Sequence, residues 1–434
     1  MPVYGTLSQY DGVFKDVFAD ELSDALPAFA LTQDDIPFLE SKKTGELFSQ
    51  PVLVRRSHGA SYLSSGAGVV TLNPVKASKT VEARITGSQI VMRDAIDWES
   101  AFASETEEQA FTPAMELTVE ALWESARHRL EADILWGQDA NGLGTVNGAP
   151  AADVITIDTA QFAEGLWTGL EDAELEIFDV LLTTKRAGIG SDTVGSGFYT
   201  ITAINLDAGT ITVDDDQNVA DTDVLFFRGQ RTTSAFNIMA GLHKWLTNTG
   251  TLANVSASSH NIWKATSLSA NAGPISFDLI LQGCARASMK GAMGPMIAYL
   301  HPLAWANAMT DLAATVRRSH TDIKEYYLGA EVICFFTGTG KVFIKAHPMM
   351  KPGFCFVVPK TERGTPNGGY YRIGATDLTF VTQQGRGSKT SGSSYFEKVP
   401  GTNAVEVNTF SHQSIYSPKP GRGFIITGIV NEAA

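Results

Sequence analysis

The sequence predicts an α+β fold, in which one long helix and several shorter ones are combined with many short strands. Residues 112–137 carry apolar side chains at helical spacing, and residues 152–230 carry short β-prone runs separated by turns. Residues 232–434 mix both patterns. The chain of 434 residues is 44% hydrophobic and 18% charged, which is enough apolar material to bury a large core and excludes general disorder.

Composition also excludes several classes of protein. The mean hydropathy is -0.02, and no run approaches the roughly 18 apolar residues of a membrane helix, so no membrane partner is expected. The N-terminus lacks the basic and then apolar segments of a signal peptide. The three cysteines, Cys284, Cys334 and Cys355, match neither a zinc site nor a disulfide framework and favour a reducing compartment.

The net charge of -14 is distributed unevenly along the chain. Residues 51–98 carry a net charge of +3, between residues 1–50 at -6 and residues 99–137 at -7. Neighbouring blocks of opposite sign could fix the register of a chain that binds copies of itself, and ordinary solvated faces are the alternative. Residues 150–230 carry -12, which favours a separate solvated module. The bases of the positive block are Arg55, Arg56, Lys76, Lys79, Arg84 and Arg93.

The first 98 residues predict an arm followed by a hairpin. Residues 1–45 have a weak helical pattern and little core of their own, which indicates an arm that lies along another surface. Residues 51–56 and 79–93 are strand-like and are joined by a Gly- and Ser-rich tip. A two-stranded ribbon is marginally stable alone and has free edges, so we expect it to lie on a neighbour. In the second run, polar residues alternate with Val81, Ala83 and Ile85.

The clearest helix is predicted over residues 112–137. Thr112 is a plausible N-cap, Pro113 suits the first helical position, and Gly137 is a natural end. At 1.5 Å per residue such a helix is roughly 36 Å long. Its apolar stripe consists of Met115, Val119, Leu122, Ala126, Leu130 and Ile134.

The remaining elements are shorter. Ser276 is a predicted N-cap for a helix that ends near Met289, residues 294–300 form an apolar strand, and Pro302 begins the next helix. Further strands are predicted at 153–157, 179–185, 199–205, 210–215, 223–229, 341–346, 353–359, 371–382, 404–410 and 421–430.

Motifs that would carry catalysis or bind a cofactor are absent from the sequence. Residues 337–341 and 385–390 contain glycines and a lysine but lack the spacing of a phosphate-binding loop. The acidic residues 214–216 lack the glycine and glutamate of a calcium loop, and the eight histidines form no zinc-ligand motif. We therefore expect no catalytic, cofactor-binding or metal site, and a protein that is not an enzyme.

The order of these elements resembles the major capsid proteins of tailed bacteriophages with the Hong Kong 97-type fold. Residues 275–309 resemble the family's axial-domain signature, in which a strand is followed by a helix opened by Pro302 and Trp305. Residues 112–137 look like its spine helix, residues 50–96 like its extended loop, and residues 383–401 fall where its peripheral loop would lie. The resemblance covers about 80% of the chain, everything outside residues 150–230.

The resemblance implies a structural subunit that forms hexamers and pentamers of an icosahedral shell around double-stranded DNA. Its implied partners are copies of itself, scaffolding, portal and possibly decoration proteins, and packaged DNA in non-specific contact. It implies location in the virion after assembly in the host bacterial cytoplasm. The implied divisions are an N-terminal arm at 1–49, an extended loop at 50–98, a peripheral domain with the spine helix at 99–149, a β-rich insertion at 150–231, and the axial domain with the remaining peripheral strands at 232–434.

Two other interpretations stay open at this point. An encapsulin-like shell has the same fold and encloses enzyme cargo in place of a genome. A secreted or surface β-rich adhesin or hydrolase is the third class, and the absence of a signal-peptide pattern argues against it.

Overall fold

The chain forms two compact units in a computed structural model. One unit contains residues 1–27, 92–124 and 380–408, and the other contains residues 28–91, 125–379 and 409–434. The structure describes residues 30–40, 47–66, 68–99, 114–186, 197–214, 218–310, 326–327, 330–331, 333–338, 340–361, 369–381, 396–399 and 401–431. The predicted arm at 1–45 and the peripheral loop at 383–401 lie largely outside these residues.

The described residues combine α-helices with many short strands, as the sequence predicts. The helices are α1 (Leu31–Asp35), α2 (Ala114–Trp136), α3 (Glu164–Trp167), α4 (Leu242–Thr247), α5 (Phe277–Met289) and α6 (Pro302–Thr310). The first strands are β1 (Phe38–Glu40), β2 (Leu47–Arg55), β3 (Lys79–Thr86), β4 (Ser88–Asp97), β5 (Gly144–Thr145), β6 (Val154–Thr156), β7 (Glu174–Phe178), β8 (Tyr199–Asn205), β9 (Thr210–Val213), β10 (Val224–Phe227), β11 (Thr251–Leu252) and β12 (Val255–Ser256). The others are β13 (Thr266–Ser269), β14 (Met296–Leu300), β15 (Tyr326–Tyr327), β16 (Ala330–Glu331), β17 (Ile333–Thr337), β18 (Gly340–Ala346), β19 (Phe354–Pro359), β20 (Tyr371–Phe380), β21 (Phe396–Lys398), β22 (Ala404–Tyr416) and β23 (Phe424–Thr427).

The long helix predicted over 112–137 is confirmed as α2. The predicted stripe is buried at Leu122, Ala126, Leu130 and Ile134, as amphipathic spacing requires. The helix ends at Trp136, where the backbone of Gly137 packs so closely that a Cβ would overlap the carbonyl oxygen of Met239. The predicted cap residues at 112 and 113 lie outside the described residues.

A six-stranded sheet in the order β13–β23–β19–β14–β18–β17 is called here the C-terminal sheet. Strands β13 and β23 are parallel, as are β14 and β18, and the other neighbours are antiparallel. The predicted cap of α5 is confirmed, because Ser276 Oγ accepts a hydrogen bond from Leu279 N at 3.3 Å. Helix α5 packs on β13 and β23, and α6 packs on β18.

A second six-stranded sheet, in the order β5–β10–β7–β8–β9–β6, contains most of the predicted β-rich insertion and is called here the acidic sheet. Its hairpin of β8 and β9 is confirmed. Its core is continuous with the end of α2, because Ile155, Ile177 and Leu225 belong to the same buried cluster as Leu135 and Trp136. The acidic sheet and the end of α2 therefore share one buried core, and the division of the chain at 150–231 stays a prediction.

The strand predicted at 179–185 is also wrong, because the strand lies just before it, at β7. Asp179 Oδ1 accepts hydrogen bonds from Thr183 N at 2.7 Å and Thr184 N at 3.0 Å, which closes a turn. An aspartate that hydrogen-bonds nearby backbone amides favours a turn over a strand.

The hairpin is confirmed, but its second run is two strands rather than one. Strands β2 and β3 pair with each other, whereas β4 pairs with β22. The break falls at Gly87, where a Cβ would lie 2.6 Å from His412 Nε2, so a larger residue would require the imidazole to move. The predicted alternation is confirmed, since Ala83 and Ile85 are buried and their polar neighbours are exposed.

Candidate assembly surfaces

The hairpin of β2 and β3 is anchored at its base and free at its tip. Arg84 N donates to the carbonyl oxygen of Ala253 at 3.0 Å, and Asn254 Nδ2 donates to that of Glu82 at 3.1 Å. These bonds attach β3 to the turn between β11 and β12. At the other end the described tip, residues 56–66 and 68–78, is almost entirely exposed.

The tip presents large apolar side chains to solvent. Tyr62 is 96% exposed and Val75 is 86% exposed, and Leu63, Val69 and Leu72 are also exposed. Internal bonds in the tip are few; among the described residues they include the backbone pair between His58 and Lys76. Several large exposed apolar side chains on one segment are typical of an interaction site, because their contact with water is unfavourable. The tip is therefore the candidate assembly surface.

Four of the six predicted contact bases lie at the neck of the tip. Arg55 pairs in register with Lys79, and Arg55 Nη2 donates to the carbonyl oxygen of Ala77 at 3.2 Å. Lys76 lies in the bridge to His58, and Arg56 is exposed beside Arg55. Arg55, Arg56, Lys76 and Lys79 therefore form a small group of bases next to the apolar tip, called here the basic collar.

The other two predicted bases lie elsewhere. Arg84 faces solvent from the middle of β3, where its guanidinium bonds to Glu82 Oε2 at 2.9 Å and 3.1 Å. That carboxylate already neutralises it. Arg93 is an exposed residue of β4 in the other compact unit.

The segment 30–40, at the start of the described chain, is held by buried charges that sequence reasoning did not find. Glu131 on α2 is fully buried and accepts hydrogen bonds from Thr32 N at 2.6 Å and Gln33 N at 3.1 Å. Its Oε1 also lies 2.8 Å from His347 Nε2. These bonds satisfy the first free amides of α1, and a carboxylate there is favoured by the helix dipole.

One ion pair and two further hydrogen bonds hold the same segment. Lys345 Nζ lies 2.7 Å from Asp35 Oδ1, and Tyr299 Oη donates to Asp35 Oδ2 at 2.9 Å. Arg372 Nε donates to the carbonyl oxygen of Ile36 at 3.0 Å. Segment 30–40 is therefore attached to the core by several buried polar contacts.

A second buried charge cluster follows the end of α2. Lys351 Nζ lies 3.1 Å from Asp139 Oδ2 and donates to the carbonyl oxygen of Gly142 at 2.8 Å. Burial alone would raise the pKa of Asp139, but Lys351 and His243 outweigh it and hold that pKa below its usual value. Burial lowers the pKa of Lys351. The cluster is a structural ion pair without access for a substrate.

Asp133 is also buried on α2, and neighbouring groups compensate its negative charge less than they compensate that of Asp139. Burial raises its pKa to about 7, against the opposing effects of Arg129 and of a 2.8 Å hydrogen bond from Gln230 Nε2. A raised pKa means that the folded chain binds this proton more tightly than the unfolded chain does. The free energy of unfolding therefore falls as the pH rises from about 4 to about 7.

We therefore expect Asp133→Asn to stabilise the chain at pH 8, by on the order of 3 kcal/mol, and to have little effect below pH 4. Asp139→Asn is the matched control of opposite sign, because it removes a carboxylate whose charged form is favoured by folding. Urea unfolding of both variants at pH 4, 6 and 8 measures the difference. Equal effects of Asp133→Asn at every pH would contradict the assignment.

The strand and helix that the resemblance assigns to the axial signature are present as β14 and α6. Pro302 begins α6, and Trp305 packs against the core of the C-terminal sheet. His301, between the two elements, lies with Nε2 2.8 Å from Glu164 Oε2. Pro302 thus begins the helix, and Trp305 packs it against the core.

Within the described part of the chain, no group of three or more metal-ligating side chains comes together. Among the same residues, no helix has the length and apolar character that a bilayer span needs.

Comparisons with known proteins identify the fold through structure and not through sequence. No known family and no curated sequence matches the chain. A chain of the cyanophage A-1(L) capsid asymmetric unit superposes with a TM-score of 0.54 at 8% identity, over 98% of this chain and 99% of that one.

Two more solved structures align over nearly the whole chain. The holo-SrpI encapsulin complex from Synechococcus elongatus PCC 7942 aligns with a TM-score of 0.47 at 6% identity, over 100% of this chain and 98% of that one. The capsid of the native GTA particle aligns with a TM-score of 0.45 at 7% identity, over 99% and 100% respectively. The cyanophage similarity shows that this chain has the overall fold of a phage capsid chain.

Proposed function

We propose that the chain is the major capsid subunit of a tailed phage. It self-assembles into hexamers and pentamers of an icosahedral shell that encloses double-stranded DNA. The observation that carries the proposal is the hairpin tip, an exposed apolar surface on a ribbon whose base is anchored, in a chain with the fold of a cyanophage capsid chain.

The parts of the chain take their roles from this assignment. The hairpin of β2 and β3 is the extended loop, α2 is the spine helix, and the C-terminal sheet with α5 and α6 forms the axial domain. The acidic sheet is the insertion, and the anchored segment 30–40 fixes the base of the N-terminal arm. The division into domains at 1–49, 50–98, 99–149, 150–231 and 232–434 belongs to this proposal.

A shell subunit needs self-complementary surfaces and no active site. The proposed partners are therefore copies of the chain itself, scaffolding, portal and decoration proteins, and packaged DNA in non-specific contact. The chain resides in the virion after assembly in the host bacterial cytoplasm. Catalysis has no part in the proposal.

The basic collar is proposed to bind an acidic surface of the adjacent subunit. We expect Arg55→Glu/Arg56→Glu to lower the yield of shells at least tenfold, because two attractions become repulsions in every subunit contact. The yield is measured by size-exclusion chromatography and negative-stain electron microscopy. Arg286→Glu, compared with Arg55→Glu alone, is the control, since Arg286 is exposed and lies outside the hairpin. Unchanged yield in the collar variant would refute this contact.

The nucleic-acid content of the purified particles separates a capsid from an encapsulin-like shell. A capsid produced with its packaging machinery contains double-stranded DNA, whereas an encapsulin-like shell contains protein cargo.

A further inference from the structure

One end of the C-terminal sheet brings together strand ends that are far apart in sequence. At this end Thr266 pairs with Phe424, Phe424 with Val357, Pro359 with Met296, and Met296 with Val342. The five strands β13, β23, β19, β14 and β18 therefore present their ends side by side.

Basic residues concentrate at this end. They occupy the segments just before β13, β14 and β23, just after β19, and the start of β18. The corresponding segments 260–266, 290–296, 340–342, 357–361 and 417–424 contain no aspartate or glutamate. The six bases, called here the basic rim, are Lys264, Lys290, Lys341, Lys360, Lys419 and Arg422.

Contacts within the rim show that its parts are adjacent. Lys290 Nζ donates to the carbonyl oxygen of Lys264 at 2.6 Å. A Cβ placed on Gly291 would lie 3.7 Å from Arg422 Nη2, and one on Gly421 would lie 3.1 Å from the carbonyl oxygen of Lys264. The segments before β13, β14 and β23 thus meet in one place.

Three bases of the rim have no carboxylate partner among the described residues. In the described part of the chain, Lys264, Lys290 and Lys419 form no ion pair with a carboxylate. Burial lowers the pKa of Lys290, and repulsion from Lys264 lowers it further. Burial and repulsion from Arg422 act in the same way on the pKa of Lys419. An anion bound here would relieve both repulsions.

We propose that the basic rim binds the phosphodiester backbone of nucleic acid. Five strand ends at about 4.8 Å spacing make a row roughly 19 Å long, which matches the rise of five to six nucleotides at about 3.4 Å each. A row of separate cations fits a linear polyanion better than a single phosphate, and it carries no base-reading geometry. The inference rests on the proposed function for the identity of the polyanion, the enclosed DNA.

The test measures binding of a fluorescein-labelled 20-base-pair duplex to the unassembled full-length chain, separated from shells by size exclusion. We expect the slope of log affinity against log salt to fall by about 0.9 for each of Lys290→Gln, Lys360→Gln and Lys419→Gln, and by nearly three for the triple variant. Arg228→Gln removes one exposed charge that Glu174 already neutralises, and it should leave the slope unchanged.

Two results would overturn the proposal. One is a slope that the rim variants leave unchanged or that Arg228→Gln lowers equally. The other is tight binding of a ten-residue polyglutamate peptide with no binding of the duplex, which would assign the rim to an acidic protein surface. Shell formation is recorded separately by electron microscopy. Shells that form without duplex binding would refute only the proposed DNA-binding role of the rim. Duplex binding without shells would refute only the proposed function as a shell subunit.

Discussion

Replacing residues 58–76 with a short Gly-Ser linker should abolish shell assembly and leave the chain folded. The deleted tip contains the exposed apolar side chains Tyr62, Leu63, Val69, Leu72 and Val75, and none of its described residues belongs to the buried core. Each large apolar side chain that becomes buried contributes about 1.5–3 kcal/mol, so losing several from every subunit contact removes most of the driving force for assembly. Size-exclusion chromatography and electron microscopy measure the assembled fraction, and circular dichroism reports the fold.

A milder pair of variants tests the same surface without shortening the chain. Leu72→Ser/Val75→Ser should reduce the assembled fraction at least tenfold. The matched control is Val180→Ser/Leu181→Ser, which replaces two exposed apolar residues in the turn after β7. Normal shells from the tip variants, or an equal loss in the control, would contradict the role of the tip.

Glu131→Ala should cost about 3–5 kcal/mol of unfolding free energy. It removes a fully buried carboxylate and leaves the amides of Thr32 and Gln33 without that acceptor. Urea unfolding of the unassembled chain measures the change.

Two variants make the Glu131 result interpretable. Glu120→Ala on the same helix is exposed and should change stability by less than about 0.5 kcal/mol. Glu131→Gln keeps one acceptor oxygen and should recover part of the loss if the alanine variant fails to fold. A Glu131→Ala variant as stable as Glu120→Ala would show that the anchor of segment 30–40 is unimportant.

Sequence patterns correctly predicted the structural features that depend on residues close together in the chain. The stripe of α2, the cap at Ser276 and the alternation in β3 each depend on residues within a few positions of one another, and each is confirmed. The break at Gly87 was missed because β4 pairs with β22, which is distant in sequence. The turn at Asp179 was missed because its apolar residues resemble a strand.

The candidate surfaces were predictable only in part. The hairpin and its bases follow from composition and charge, but the pairing of Arg84 with Glu82 separates that base from the collar. The contact of Glu131 with Thr32 spans 99 positions, and only the folded backbone brings the two together. The basic rim likewise depends on strand register, since its members lie between residues 264 and 422.

Negative-stain electron microscopy of the purified full-length chain, with size-exclusion chromatography to isolate the assembled fraction, tests the central claim most directly. We expect hexamers, pentamers or closed polyhedral shells. A chain that remains monomeric at the highest attainable concentration, and also with a crowding agent added, would contradict it.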